Sequence, residues 1–170
     1  MTFQDDLPSL YAYNRWADAR MIEAARKLAP AQYTQEPAPG WTSVRATLFH
    51  IAGATHIWAR RLAGQTVTQR PLETDFPTLE DAASLFQQGH DAFDRLIAEL
   101  TPEKLASAWS YRNLQGSLSN TPHWAVYRHV VNHATYHRGQ VASKLKLLGV
   151  DPPSVDFINW AIEHTDQPET

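Results

Sequence analysis

Asn132-His133-Ala134-Thr135-Tyr136-His137-Arg138-Gly139-Gln140 lies inside the longest helical pattern of the chain. Residues four apart on a helix stack on one face, so His133 and His137 point the same way, and His129 extends their stripe one turn earlier. Spacing alone leaves two readings. The imidazoles are the two teeth of a metal clamp, or they belong to a half-buried histidine face that holds no metal. By the same helical phase Arg138 points away from the stripe, toward a salt bridge or an anion contact.

Outward from that stretch, Asn120-Thr121-Pro122 reads as a cap with proline near the first helical position, and Gly149 followed by Asp151-Pro152-Pro153 stops the helix after Leu148. Three earlier segments have comparable length. The first begins after Asp5-Asp6 with Pro8 in its opening turn, and carries Leu10, Asn14, Ala17, Met21, Ala24 and Leu28 before Pro30. Asn14 in that stripe reads either as an interhelical hydrogen bond or as a wall of the site. The second begins at a hydroxyl cap in Trp41-Thr42-Ser43 and steps through Val44, Leu48, Ile51, Thr55, Trp58 and Leu62 to Gly64. The third opens on Thr78-Leu79-Glu80-Asp81, a capping box with Asp in place of Glu, and runs to Thr101-Pro102.

His50 sits beside the second stripe, followed by Gly53 and Ala54, small residues that let a helix or a ligand come close. Alone it reads as a packed histidine or as a third metal ligand. His56 falls on another face, and His90, with no histidine at helical spacing, reads as solvated. Between the third and fourth helices, residues 103–119 carry Trp109-Ser110-Tyr111-Arg112 and Leu114 before Gly116, the pattern of short strands about a turn, and suit a lid or a dimer contact. An amphipathic piece from Val155 to Ile162 packs on the bundle, and Thr165 to Thr170 is expected to fray.

Composition narrows the function. At 170 residues the chain is long enough for one domain, taken as 1–170, with a substantial core. A net charge of -3 and no basic run longer than Arg60-Arg61 argue against nucleic acid as a partner. Cysteine is absent, so a metal must be held by nitrogen and oxygen. The opening Met1-Thr2-Phe3-Gln4-Asp5-Asp6 has no export signature, and no apolar run reaches about 18 residues, so no membrane contact and a cytoplasmic location are expected.

Four helices joined by loops predict an all-α four-helix bundle, a fold that builds metal sites from facing helices. His50, His133 and His137 together would hold one divalent ion and leave a position open for water or substrate; zinc, nickel and ferrous iron all accept such ligands. The spacing excludes His-Glu-x-x-His of the zincins and Glu-x-x-His of di-iron bundles. Asn14, Tyr136 and Gln140 are candidates for the walls of the site.

Tyr13-Asn14-Arg15-Trp16-Ala17, Leu48-Phe49-His50-Ile51 before Trp58, and the block from Asn132 to Gln140 together resemble the DinB (damage-inducible protein) family, grouped with YfiT-like metal-dependent hydrolases. Gly149, Pro152-Pro153 and Asp156 are similar to that family's tail. The resemblance implies an up-down-down-up bundle with a short C-terminal helical segment, often a homodimer, and one divalent ion on the histidines matching His50, His133 and His137. His129 matches no family ligand and is assigned to the surroundings of the site or to the core. Asp18 stands where such proteins often have Asn. Related thiol-using families imply a metal-dependent S-transferase acting with a low-molecular-weight thiol; a hydrolase using metal-bound hydroxide and a non-catalytic metal-binding stress protein are the alternatives.

Overall fold

The computed structural model describes residues 3–164, so the expected fraying of Thr165 to Thr170 lies outside the described residues, as do Met1 and Thr2. Four long helices form the body: α1 (Phe3–Ala25), α3 (Val44–Leu62), α4 (Leu79–Ala98) and α6 (His123–Leu147). Each has two neighbours, α1 and α3 both packing against α4 and α6. Three shorter helices lie on this body: α2 (Pro30–Thr34) against α3, α5 (Pro102–Ala106) against α6, and α7 (Phe157–His164) against α1. Among the described residues no helix is long and apolar enough to cross a membrane.

The helix ends follow local chemistry. Ser43 Oγ accepts from the Ala46 amide at 3.0 Å and starts α3. Thr78 and Asp81 complete the expected box, with Thr78 N donating to Asp81 Oδ2 at 2.9 Å and Asp81 N to Thr78 Oγ1 at 3.1 Å. Gly149 takes φ +83°, a left-handed backbone that other residues rarely adopt, directly after the C-cap of α6.

Several expectations need correction. α1 begins at Phe3, so Pro8 lies inside the helix rather than in its opening turn. Pro30 and Pro102 each start a short helix, consistent with proline's preference for a first helical position. The fold is mostly helical but not purely so. β1 (Ala108–Arg112) pairs antiparallel with β2 (Leu118–Pro122), matching Trp109 to Thr121 and Ser110 to Asn120. Asn120 and Thr121 therefore belong to a strand, and Pro122 is the N-cap of α6.

The apolar core is cut in two by a polar layer. One half gathers Met21, Leu48, Ile51, Phe86, Val141 and Leu145, and the other Leu7, Tyr11, Phe93, Tyr127, Val130 and Trp160. Between them sit Asn14 and Asp18 of α1, His90 of α4 and Arg138 of α6, all buried. Arg138 Nη1 donates to Asp18 Oδ1 at 2.8 Å and to Asn14 Oδ1 at 2.7 Å, while its Nη2 donates to Thr135 Oγ1 at 2.8 Å. His90, expected in solvent, instead lies with Nε2 3.2 Å from Asp18 Oδ2, off the angle of a formed hydrogen bond. Burial alone would raise the Asp18 pKa, but the Arg138 charge and the His90 contact together hold it below the usual carboxylate value. Arg138 thus joins α6 to α1 on the side of the helix opposite the histidine stripe.

Candidate metal centre

His50 of α3 faces His133 and His137 of α6. The ring centres are 4.9 Å apart for His50 and His133, 4.4 Å for His50 and His137, and 4.4 Å for His133 and His137. One nitrogen from each ring lies within 4.8 Å of the other two. The Nε2 atoms of His50 and His133 are 3.1 Å apart. Two nitrogens bound at about 2.0–2.1 Å to one ion, roughly at right or tetrahedral angles, would be about 2.8–3.4 Å apart. The donor set therefore fits a single divalent cation held by three imidazole nitrogens.

Protonation favours the same use. His133 is pushed down to about 4, first by burial and then by the neighbouring His137, His50, His129 and Arg70. His50 is lowered by burial, then by His137 and Arg70. At neutral pH both rings are uncharged, and their lone pairs are available to a metal. His137 is further oriented by its neighbour one turn on: Gln140 Oε1 accepts from Nδ1 at 2.8 Å, which leaves Nε2 as the free donor atom.

A cleft of about 480 Å³ opens beside the histidines, lined among others by His50, Gly53, Trp58, Arg61, His129 and His133. A Cβ on Gly53 would meet nothing within 4 Å, so the glycine leaves the floor of the cleft open. His129 stands between the centre and the aromatic wall, its ring 5.5 Å from that of His133 and 5.5 Å from Trp58. Burial lowers its pKa, so it is neutral as well.

The remaining candidates fall in different places. Gln140 holds His137, as above. Tyr136 is 67% exposed and packs edge-on to His137 at 5.0 Å, outside the cleft lining. Asn14 is in the polar layer, bonded to Arg138, and does not line the cleft. Sequence reasoning passed over Arg61, Arg70 and Trp58 as parts of a site. A signal was present for two of them, because His50, Ala54, Ile57, Trp58 and Arg61 recur at helical spacing on one face and all line the cleft.

Comparison with known proteins places the chain in a family. The model of the DinB family matches residues 1–169. The chain belongs to the DinB family. Protein DinB of Bacillus subtilis (strain 168) is 24% identical over 155 residues, a match covering 87% of this chain and 89% of that protein. A crystal structure of a DinB-like protein from Bacillus cereus ATCC 10987 superposes with a TM-score of 0.70 at 18% identity, covering 91% of this chain and all of that one. A second DinB-like protein, from Bacillus subtilis, gives a TM-score of 0.62 at 17% identity over 86% of this chain and 97% of its own. These two likenesses show a shared DinB-like fold.

Proposed function

We propose that this DinB-family protein binds one divalent metal ion through His50, His133 and His137 and transfers a low-molecular-weight thiol to an electrophile. The observation that carries the reading is three converging imidazoles beside a cleft of small-molecule size. A divalent ion bound there would favour the thiolate form of a ligand sulfur.

The chain's own residues supply the rest. Gln140 fixes the ring of His137, and His50 and His133 are neutral at working pH. His129, neutral and on the cleft wall, is placed to accept the proton that the thiol gives up. Trp58, Ile57 and Phe49 line the cleft with apolar surface that takes up the reactants and excludes water. Sulfur then forms a bond to the electrophilic carbon, and the leaving group departs with the electron pair of the bond that breaks. Hydrolysis by metal-bound hydroxide would draw on the same His129 as base, and the thiol panel below separates it from transfer. Among the described residues Glu73 is the one carboxylate lining the cleft, and it is tied to Arg45 at 2.9 Å. The proposal includes an up-down-down-up helix order and a cytoplasmic homodimer, as the resemblance implies; sedimentation of the purified protein tests the dimer.

The test is conjugation of monochlorobimane by a panel of small thiols, with metal-loaded and metal-free protein side by side. The proposal expects a metal-dependent rate that His133→Ala abolishes. A panel in which no thiol reacts faster with the loaded protein overturns transfer.

A further inference from the structure

Arg61 lines the same cleft as His50 and His133, yet only 6% of it is exposed. Its Nε and Nη2 are buried and have no hydrogen-bond acceptor among the described residues. Its close neighbours are aromatic instead: the guanidinium carbon is 5.1 Å from the centre of the Trp58 ring and 5.2 Å from that of Tyr111. These rings attract a cation but do not replace an oxygen acceptor for its N–H groups. Arginine does not escape burial by losing its proton, so a charged group is left with two unanswered donors.

The two donors are not an arbitrary pair. Nε and Nη2 lie on one edge of the guanidinium, where two N–H bonds run side by side in the spacing of a carboxylate's two oxygens. Nothing in the cleft fills that role, since Glu73 is already paired with Arg45. Arg70, exposed and also lining the cleft, adds a second positive charge.

We infer that Arg61 is the anchor for a carboxylate carried by the small molecule that enters this cleft. The ligand then lies with its carboxylate on the Arg61 edge, its body along Trp58, and its reactive group at the histidines. Tyr111 of the β1–β2 hairpin packs on the guanidinium, and because Nε and Nη2 are buried, the inference includes a small shift of the side chains around that edge as the carboxylate enters. A group with one charge and two oxygens matches a single buried edge, whereas a dianionic phosphate would bring a charge that only the exposed Arg70 could meet. The inference rests on the thiol-transfer reading solely for where the sulfur sits.

The probes are 3-mercaptopropionate and its uncharged amide, 3-mercaptopropanamide. Calorimetry on metal-free protein at pH 8 tests the anion subsite without the ion. The carboxylate is expected to bind at least tenfold more tightly than the amide, a difference of about 1.4 kcal/mol. Arg61→Gln should erase that preference, Arg61→Lys should keep only part of it, and Arg60→Gln, on an exposed neighbour, should leave it intact. Should Arg61→Gln fail to fold, the Nε–H resonance of Arg61 in the wild type gives the answer, shifting with the carboxylate and not with the amide. Equal binding of the two probes, or a preference that survives Arg61→Gln, overturns the inference. The same probes on cobalt-loaded protein, followed by the sulfur-to-cobalt absorption band, separate the two proposals. No band together with a retained carboxylate preference sinks thiol binding at the histidines and leaves the Arg61 subsite standing. A band of equal midpoint for both probes sinks the subsite and leaves thiol binding standing.

Discussion

Asp18→Ala should be among the most damaging single substitutions in the chain, although Asp18 lines no cleft. Its side chain and that of Arg138 are each 1% exposed, and they meet at 2.8 Å. Removing one partner of a buried pair costs about 3–5 kcal/mol, because the other charge is left without an answer. Arg138 would keep Asn14 Oδ1 and Thr135 Oγ1 as acceptors, which places the expected loss near the lower end, about 3 kcal/mol. For a chain of this size that is a fall in Tm of roughly 6–12 °C. Asp18→Asn keeps the shape and one acceptor, and should cost about half as much or less. Asp18→Ala combined with Arg138→Met removes both charges and should recover much of the loss. The assay is urea unfolding followed by circular dichroism on metal-free protein, so that metal binding does not add its own stabilisation. A loss below about 1 kcal/mol for Asp18→Ala would show that water reaches Arg138, and the buried layer would not be the clamp between α1 and α6 described above.

Other consequences are narrower. Gln140→Ala should weaken metal binding about 10- to 100-fold while leaving the fold intact, measured by competition with a chromophoric chelator; unchanged affinity would mean that the bond to His137 Nδ1 does not orient the ring. His133 has a folded pKa of about 4 against 6.5 in the unfolded chain, so the unfolded state binds more protons between those values. The metal-free protein should therefore lose stability as pH falls from 6.5 toward 4, and His133→Ala should flatten that limb in pH-dependent unfolding. Asp18, lowered in the fold, contributes stability that is present above its unfolded pKa and lost as pH falls through its folded one, a more acidic limb that Asp18→Asn should remove. Gly89→Ala should destabilise despite alanine's better helix propensity, because its Cβ would come within 2.9 Å of Thr55 Cγ2. Thr55 cannot easily turn away, since its Oγ1 donates to Ile51 O at 3.0 Å.

The long helices were legible because their signals are local: Ser43 and Thr78 as caps, Gly149 as a stop, and apolar residues at three-four spacing between them. His133 and His137 were legible for the same reason, as neighbours on one helix. What faces them from α3 is a matter of tertiary packing, and periodicity offered His50 only as one possibility until resemblance was added. His90 shows the limit most clearly. It has no partner at helical spacing on α4, so the sequence reads it as solvated, yet packing buries it and brings it to Asp18 on α1. Arg61 was hidden differently. Next to Arg60 it reads as surface charge, and its burial depends on Tyr111, which arrives from a hairpin some fifty residues later.

The most direct test of the account is metal content by elemental mass spectrometry on untagged protein, wild type beside His50→Ala, His133→Ala, His137→Ala, His56→Ala and His90→Ala. The account predicts close to one divalent ion per chain in the wild type, strong loss in the first three variants, and retention in every folded sample of the last two. Equal metal content across the five variants, or none in the wild type after reconstitution with zinc and nickel, would contradict it.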